Sequence, residues 1–182
     1  MGRLGSFFSN VGSGIKNFGL RVGSTFNKIA PKALHYGRLI TGGLSKLPGV
    51  IGIAAGMLEG LDLSSLKGAL MSRGTSEIAK LIVAMGGKAS TVYGLCHLGD
   101  YEATLFSEHS HNLSYGKAIA LQSKYYELAE GYYTVKALHN LSKAYGVEMP
   151  ICEVVYRILY ENANPTEMLQ KLFSRSLRNE FI

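Results

Sequence analysis

Three histidines, His97, His109 and His111, fall within fifteen residues of one another, and Asp100 follows Gly99 in their midst. A metal would need imidazole, thiolate or carboxylate donors at defined spacings. No carboxylate or thiol stands at such a spacing here, so surface histidines are the better reading and no metal site is expected. Taken alone, Asp100 reads as a helix cap in a loop before it reads as a ligand. Arg73 has the planar fork that meets a phosphate, but an intramolecular ion pair explains it equally well. Cys96 and Cys152 are too few for a disulfide framework and lack CxxC spacing, which leaves reduced thiols. Gly12-Ser13-Gly14 follows no strand and lies in too short an arm to be a dinucleotide fingerprint. The run Tyr125, Tyr126, Tyr132 and Tyr133 points to packing or an interface.

The elements that must position these groups are helical. Ile78, Leu81, Ile82 and Met85 recur at helical spacing in Ser72–Met85, before a stop at Gly86-Gly87. Tyr115–Gln122 reads as a short helix. Tyr132–Tyr145 carries Val135, Leu138, Leu141 and Tyr145 and stops at Gly146. Pro150 opens a helix to Glu161, and Pro165 opens a last one through Phe173 with Asn164 as its cap. The apolar run Leu47–Leu58 is shorter than the roughly 18 residues a transmembrane helix needs and reads as a buried helix or loop. No window alternates with period two. The body is expected to be all-α with short loops.

At 182 residues and 47% hydrophobic content, the chain is no disordered polymer. Its net charge of +6 is unevenly spread. Residues 1–46 carry seven Lys or Arg and no Asp or Glu, whereas 47–182 hold 12 basic against 13 acidic side chains. Phe7, Val11, Ile15, Phe18, Val22, Phe26 and Ile29 form the stripe of an amphipathic helix that Pro31 would stop. Glycines at 12, 14, 19 and 23 each weaken such a helix by about 1 kcal/mol. The arm can lie on an anionic membrane through Phe7, Phe8, Val11, Ile15, Lys16, Phe18, Arg21, Val22 and Phe26, or pack on the body. Gly2 fits a myristoylation pattern, and the acid-free start also suits an organellar transit peptide. Nucleic acid is an unfavoured partner, because the basic residues are dispersed and no binding motif accompanies them.

From Val50 to Leu61, the stretch VIGIAAGMLEGL resembles the first helix of the C-terminal domain of NAD-dependent glycerol-3-phosphate dehydrogenases. Arg73-Gly74, Glu77-Ile78 and Met85-Gly86-Gly87 follow in order. Gly94-Leu95, Leu98-Gly99-Asp100, Thr104, Asn112, Glu130-Gly131 and Thr134 come next. Val147-Glu148-Met149-Pro150-Ile151 with Val155–Glu161 is the most specific match. In the arm, Ser13–Gly19 resembles a short segment of the membrane-lytic internal capsid protein VI of adenoviruses.

The first resemblance implies a helical domain like the C-terminal domain of 6-phosphogluconate dehydrogenases over residues 47–182, behind a basic arm of 1–46. It implies reduction of dihydroxyacetone phosphate to glycerol 3-phosphate, with Asp100, Thr104, His111 and Asn112 lining the substrate site. His111 stands where the family has Arg. Pro48-Gly49 stand where it has a catalytic Lys and an Asn, and Lys46 lies two places too early. Asp62-Leu63-Ser64-Ser65 replaces a Gly-Asp-Asn segment one residue longer. No Rossmann domain lies within these residues, so no catalytic residue is assigned and no cofactor is expected on this chain alone. NAD(P) would require a separate nucleotide-binding subunit. A homodimer and an anionic membrane surface are the other expected partners. The expected location is cytoplasmic or peripheral to a membrane, with an organelle or a virion interior as alternatives. The competing function is a membrane-associated or virion structural protein whose arm acts on membranes.

Overall fold

Helix α1, Pro48–Gly60, has Glu59 as its one charged residue. A helix apolar on every side belongs inside a protein. Accordingly Val50, Ile51, Ile53, Ala54, Ala55, Met57 and Leu58 are all buried. This computed structural model describes residues 48–93 and 98–174, the side chains of Pro48, Asp100 and Ala103 excepted. The stripe of the arm, Gly2, Lys46, Cys96, His97 and the stretch Ser13–Gly19 lie outside the described residues.

Around α1 stand α2 (Lys67–Ala84), α3 (Asp100–Phe106), α4 (His111–Ala120), α5 (Glu130–Tyr145) and α6 (Pro150–Glu161), and α7 (Pro165–Ser174) packs on α6. Short 3-10 turns occupy Ser64–Leu66 and Ala89–Tyr93. No strand occurs among the described residues. The domain is all-α, and no described helix is long and apolar enough to cross a membrane.

The closest crossing is α1 on α4. A Cβ at Gly56 would stand 1.9 Å from the Leu113 carbonyl oxygen, and one at Gly116 would stand 2.0 Å from that of Ile53. Real side chains cannot occupy those points, so the two backbones touch. This contact fixes the register of α4 on the central helix.

The helix ends follow local chemistry. At the end of α2, Gly86 is left-handed (φ 88°), its N–H donates to Val83, and the Gly87 N–H donates to Ile82. These are the paired bonds of a Schellman stop. Gly146, also left-handed, closes α5. Asn164 Oδ1 accepts from Glu167 N at 3.1 Å and so caps α7 as expected.

Several boundaries differ from the expectation. Helix α2 begins at Lys67 rather than Ser72, α4 at His111 rather than Tyr115, and α5 at Glu130 rather than Tyr132. Helix α3 forms where a loop was expected, with Asp100 as its first residue. Seven residues are too few to display a 3.6-residue period.

Candidate functional site

Ser110 caps α4, accepting the Leu113 N–H at 3.3 Å, and so sets the direction of His111 and Asn112 in its first turn. Asn112 turns inward. Its Oδ1 accepts the Gly131 N–H at the start of α5 at 2.8 Å. Its Nδ2 would stand 3.1 Å from a Cβ at Gly49, the second residue of α1. One side chain thus joins the N-terminal ends of α1, α4 and α5.

Thr104 arrives from α3. A Cβ built on Gly52 would meet the Thr104 methyl at 2.7 Å and the Asn112 Cβ at 3.1 Å. The lack of a side chain at Gly52 is what lets α3 and α4 close over α1 at this point. Two of the four expected substrate residues, Thr104 and Asn112, therefore share one face beside Gly49, Gly52 and Gly131. Asp100 is placed by its backbone one turn before Thr104 on α3.

His111 does not join that group. Its Nδ1 lies 2.7 Å from Glu127 Oε2 and 3.1 Å from the Tyr125 hydroxyl, and the imidazole is mostly exposed. His111 is thereby tied to the loop between α4 and α5. Tyr126 and Leu128 of that loop are exposed, as is Tyr133 on α5. Tyr125 itself is only half-buried against Tyr115.

Arg73 meets neither a phosphate-like cradle nor an acid among the described residues. Its guanidinium donates to the Leu172 carbonyl at 3.0 Å and lies over the Phe173 ring. That use is structural, since a cation at the end of α7 complements the helix dipole. Glu77 is buried and accepts the backbone N–H of Ile151 at 2.7 Å and of Cys152 at 3.4 Å, capping α6 from another helix. The Cys152 thiol is buried too, and burial pushes its pKa well above the ordinary thiol range.

A charged hub lies two turns along α1 from Gly52. Glu59 receives the ammonium of Lys67 on α2 and, at 3.1 Å, that of Lys117 on α4. Burial pushes the Glu59 carboxyl up, but the two lysines more than offset this and its pKa falls below the usual value. Lys67 also donates to the Leu105 carbonyl of α3 at 3.0 Å. Sequence reasoning missed this hub, although Glu59 as the lone charge of an apolar helix was a visible signal. Among the described residues, no three His, Cys, Asp or Glu side chains gather as metal ligands.

The family model described as the C-terminus of NAD-dependent glycerol-3-phosphate dehydrogenase matches residues 42–170. The chain belongs to this family. It is 38% identical over 139 residues to the glycerol-3-phosphate dehydrogenase [NAD(P)+] of Thermus thermophilus, covering 72% of this chain and 42% of that enzyme. With the Francisella tularensis subsp. novicida enzyme of the same description, identity is 40% over 136 residues, covering 71% of this chain and 40% of the relative. The crystal structure of glycerol-3-phosphate dehydrogenase from Coxiella burnetii superposes with a TM-score of 0.69 at 32% identity, covering 72% of this chain and 43% of that one. The chain thus spans about two-fifths of the length of its dehydrogenase relatives.

Proposed function

We propose that this dehydrogenase-family domain serves as the substrate-side half of a glycerol-3-phosphate dehydrogenase, and that these 182 residues do not turn over substrate by themselves. The convergence of Thr104 and Asn112 on the glycine face of α1 carries the reading. A hydroxyl and an amide side chain, each half-buried at one place, suit a small polyol phosphate, which is recognised by a few convergent polar groups. Asp100, the first residue of α3, which also carries Thr104, completes the proposed substrate-binding set, and His111 is left out of it by its ties to Glu127 and Tyr125.

Incompetence alone is supported by the residues at the start of α1. Pro48 supplies no ammonium to give a proton to the substrate carbonyl. Gly49 supplies no amide, and a Cβ there would crowd both Asn112 and Gly131 Cα at 3.1 Å. NAD(P) would enter only with a nucleotide-binding domain that supplies the pyrophosphate-binding turn. The purified chain is therefore expected to oxidise no NADH in the presence of dihydroxyacetone phosphate. Steady turnover by the chain alone contradicts this.

A second reading rests on the charge division, seven basic and no acidic residues in 1–46. On this reading the arm draws the domain to an anionic membrane. The full chain should then sediment with phosphatidylserine vesicles at low salt, and a chain beginning at Leu47 should not. Equal behaviour of the two sinks the membrane role.

A further inference from the structure

Lys67 stands where a lysine is poorly suited. It is the first residue of α2, at the positive end of the helix dipole, and only 6% of its surface is exposed. A buried ammonium loses its hydration, and an apolar residue of similar volume is often as stable at such a position. The use of a cation therefore calls for a reason in its contacts. The ammonium reaches Glu59 on α1 and donates to the Leu105 carbonyl in the last turn of α3. It also lies 5.5 Å from the centre of the Phe106 ring, the final residue of that helix.

Helix α3 has need of such a tie. It has seven residues, and an isolated helix of that length does not persist in water. Its main packing is against α1, where Thr104 lies on Gly52, and its Tyr101 and Leu105 are buried. The carbonyl that Lys67 grips belongs to the residue after Thr104. A cation at a helix C-terminus also complements the partial negative charge there.

We infer that Lys67 is a positioning residue: through Glu59 and the Leu105 carbonyl it clamps α3 to α1 and so holds Thr104 on the substrate face beside Asn112. This deepens the proposed function and rests on its reading of Thr104. The clamp acts on geometry alone, because Lys67 is not placed at the substrate.

Lys67→Met tests it in the full chain. The substitution keeps apolar volume, and Glu59 retains Lys117, so no carboxylate is left without a cation. Lys117→Met is the control, since it also removes one cation from Glu59 but leaves the tie to α3. Hydrogen exchange is read at amides 104–106, with Val154, Val155 and Ile158 of α6 as internal reference. Expected for Lys67→Met is a rise of about tenfold or more at 104–106, a change below about twofold in α6, and weaker glycerol 3-phosphate binding. Lys117→Met should leave 104–106 within about twofold. Unchanged exchange in Lys67→Met, or equal loosening in both variants, overturns the clamp. Loosened α3 with unchanged glycerol 3-phosphate affinity overturns the positioning role. Should Lys67→Met not fold, Glu59→Gln weakens the same hold on the ammonium and is read at the same amides. The exchange needs no ligand, so failure of the unaltered chain to bind glycerol 3-phosphate counts against the substrate reading and not against the clamp.

Discussion

Asn112 does two jobs with one amide. Its oxygen satisfies the Gly131 N–H, an otherwise unpaired donor in the first turn of α5, and its nitrogen faces Gly49. Asn112→Ala should cost about 1–2 kcal/mol by stranding that N–H, measurable as a shift in the urea midpoint. Asn112→Asp keeps the acceptor and should recover most of the stability but not the binding of an anionic substrate. Of the site, Thr104 and Asn112 were legible in the sequence because the ordered motifs carry them. The glycines they pack against were legible as residue types but not as neighbours. The diversion of His111 to Glu127 was invisible, since contacts across a loop of this kind leave no periodic trace.

The elements show where local sequence decides structure and where tertiary contact does. Helices α6 and α7 were readable to the residue at their starts because Pro150 and Pro165 suit a first helical position. The start of α2 was not, for neither Leu66 nor Lys67 is a capping residue, and no side-chain cap forms there. What fixes that end is the distant grip of Lys67 on Glu59 and Leu105. Helix α6 likewise borrows its cap from α2, through Glu77. Glu77→Ala should therefore destabilise the domain by at least about 2 kcal/mol, since two buried N–H groups lose their acceptor. Thermal melting checks the size, and exchange at Ile151 and Cys152 checks the place. Gly56→Ala is expected to be worse, because its methyl would overlap the Leu113 carbonyl and the backbones of α1 and α4 would have to part. Loss of the cooperative melt is the predicted result for that variant.

At the scale of the molecule, stability should fall at both pH extremes for separate reasons. The Glu59 pKa is lower folded than unfolded, so its contribution is present above the ordinary carboxylate pKa, about 4.3, and is lost as pH falls through the folded value. Burial raises the pKa values of Tyr101, Tyr160 and Cys152. Their contribution is complete below their unfolded values, near 10 for the tyrosines and 8.5 for the thiol, and declines as pH rises beyond them. Urea midpoints from pH 3 to 11 should thus form a plateau over the neutral range, and Glu59→Gln should flatten its acid limb. The all-α class was legible throughout, because helical period is the only period the body shows. The division of charge between arm and body was equally plain, while its purpose was not, since net charge speaks of partners and not of fold.

The substrate-side reading is tested most directly by titrating the isotope-labelled full chain with glycerol 3-phosphate and following its amide resonances. The predicted result is weak, saturable shifts centred on Gly49, Gly52, Thr104, Asn112 and Gly131, absent in Asn112→Ala and absent when unphosphorylated glycerol is used. Shifts confined to other surfaces, or identical shifts with glycerol, would contradict the assignment of this face.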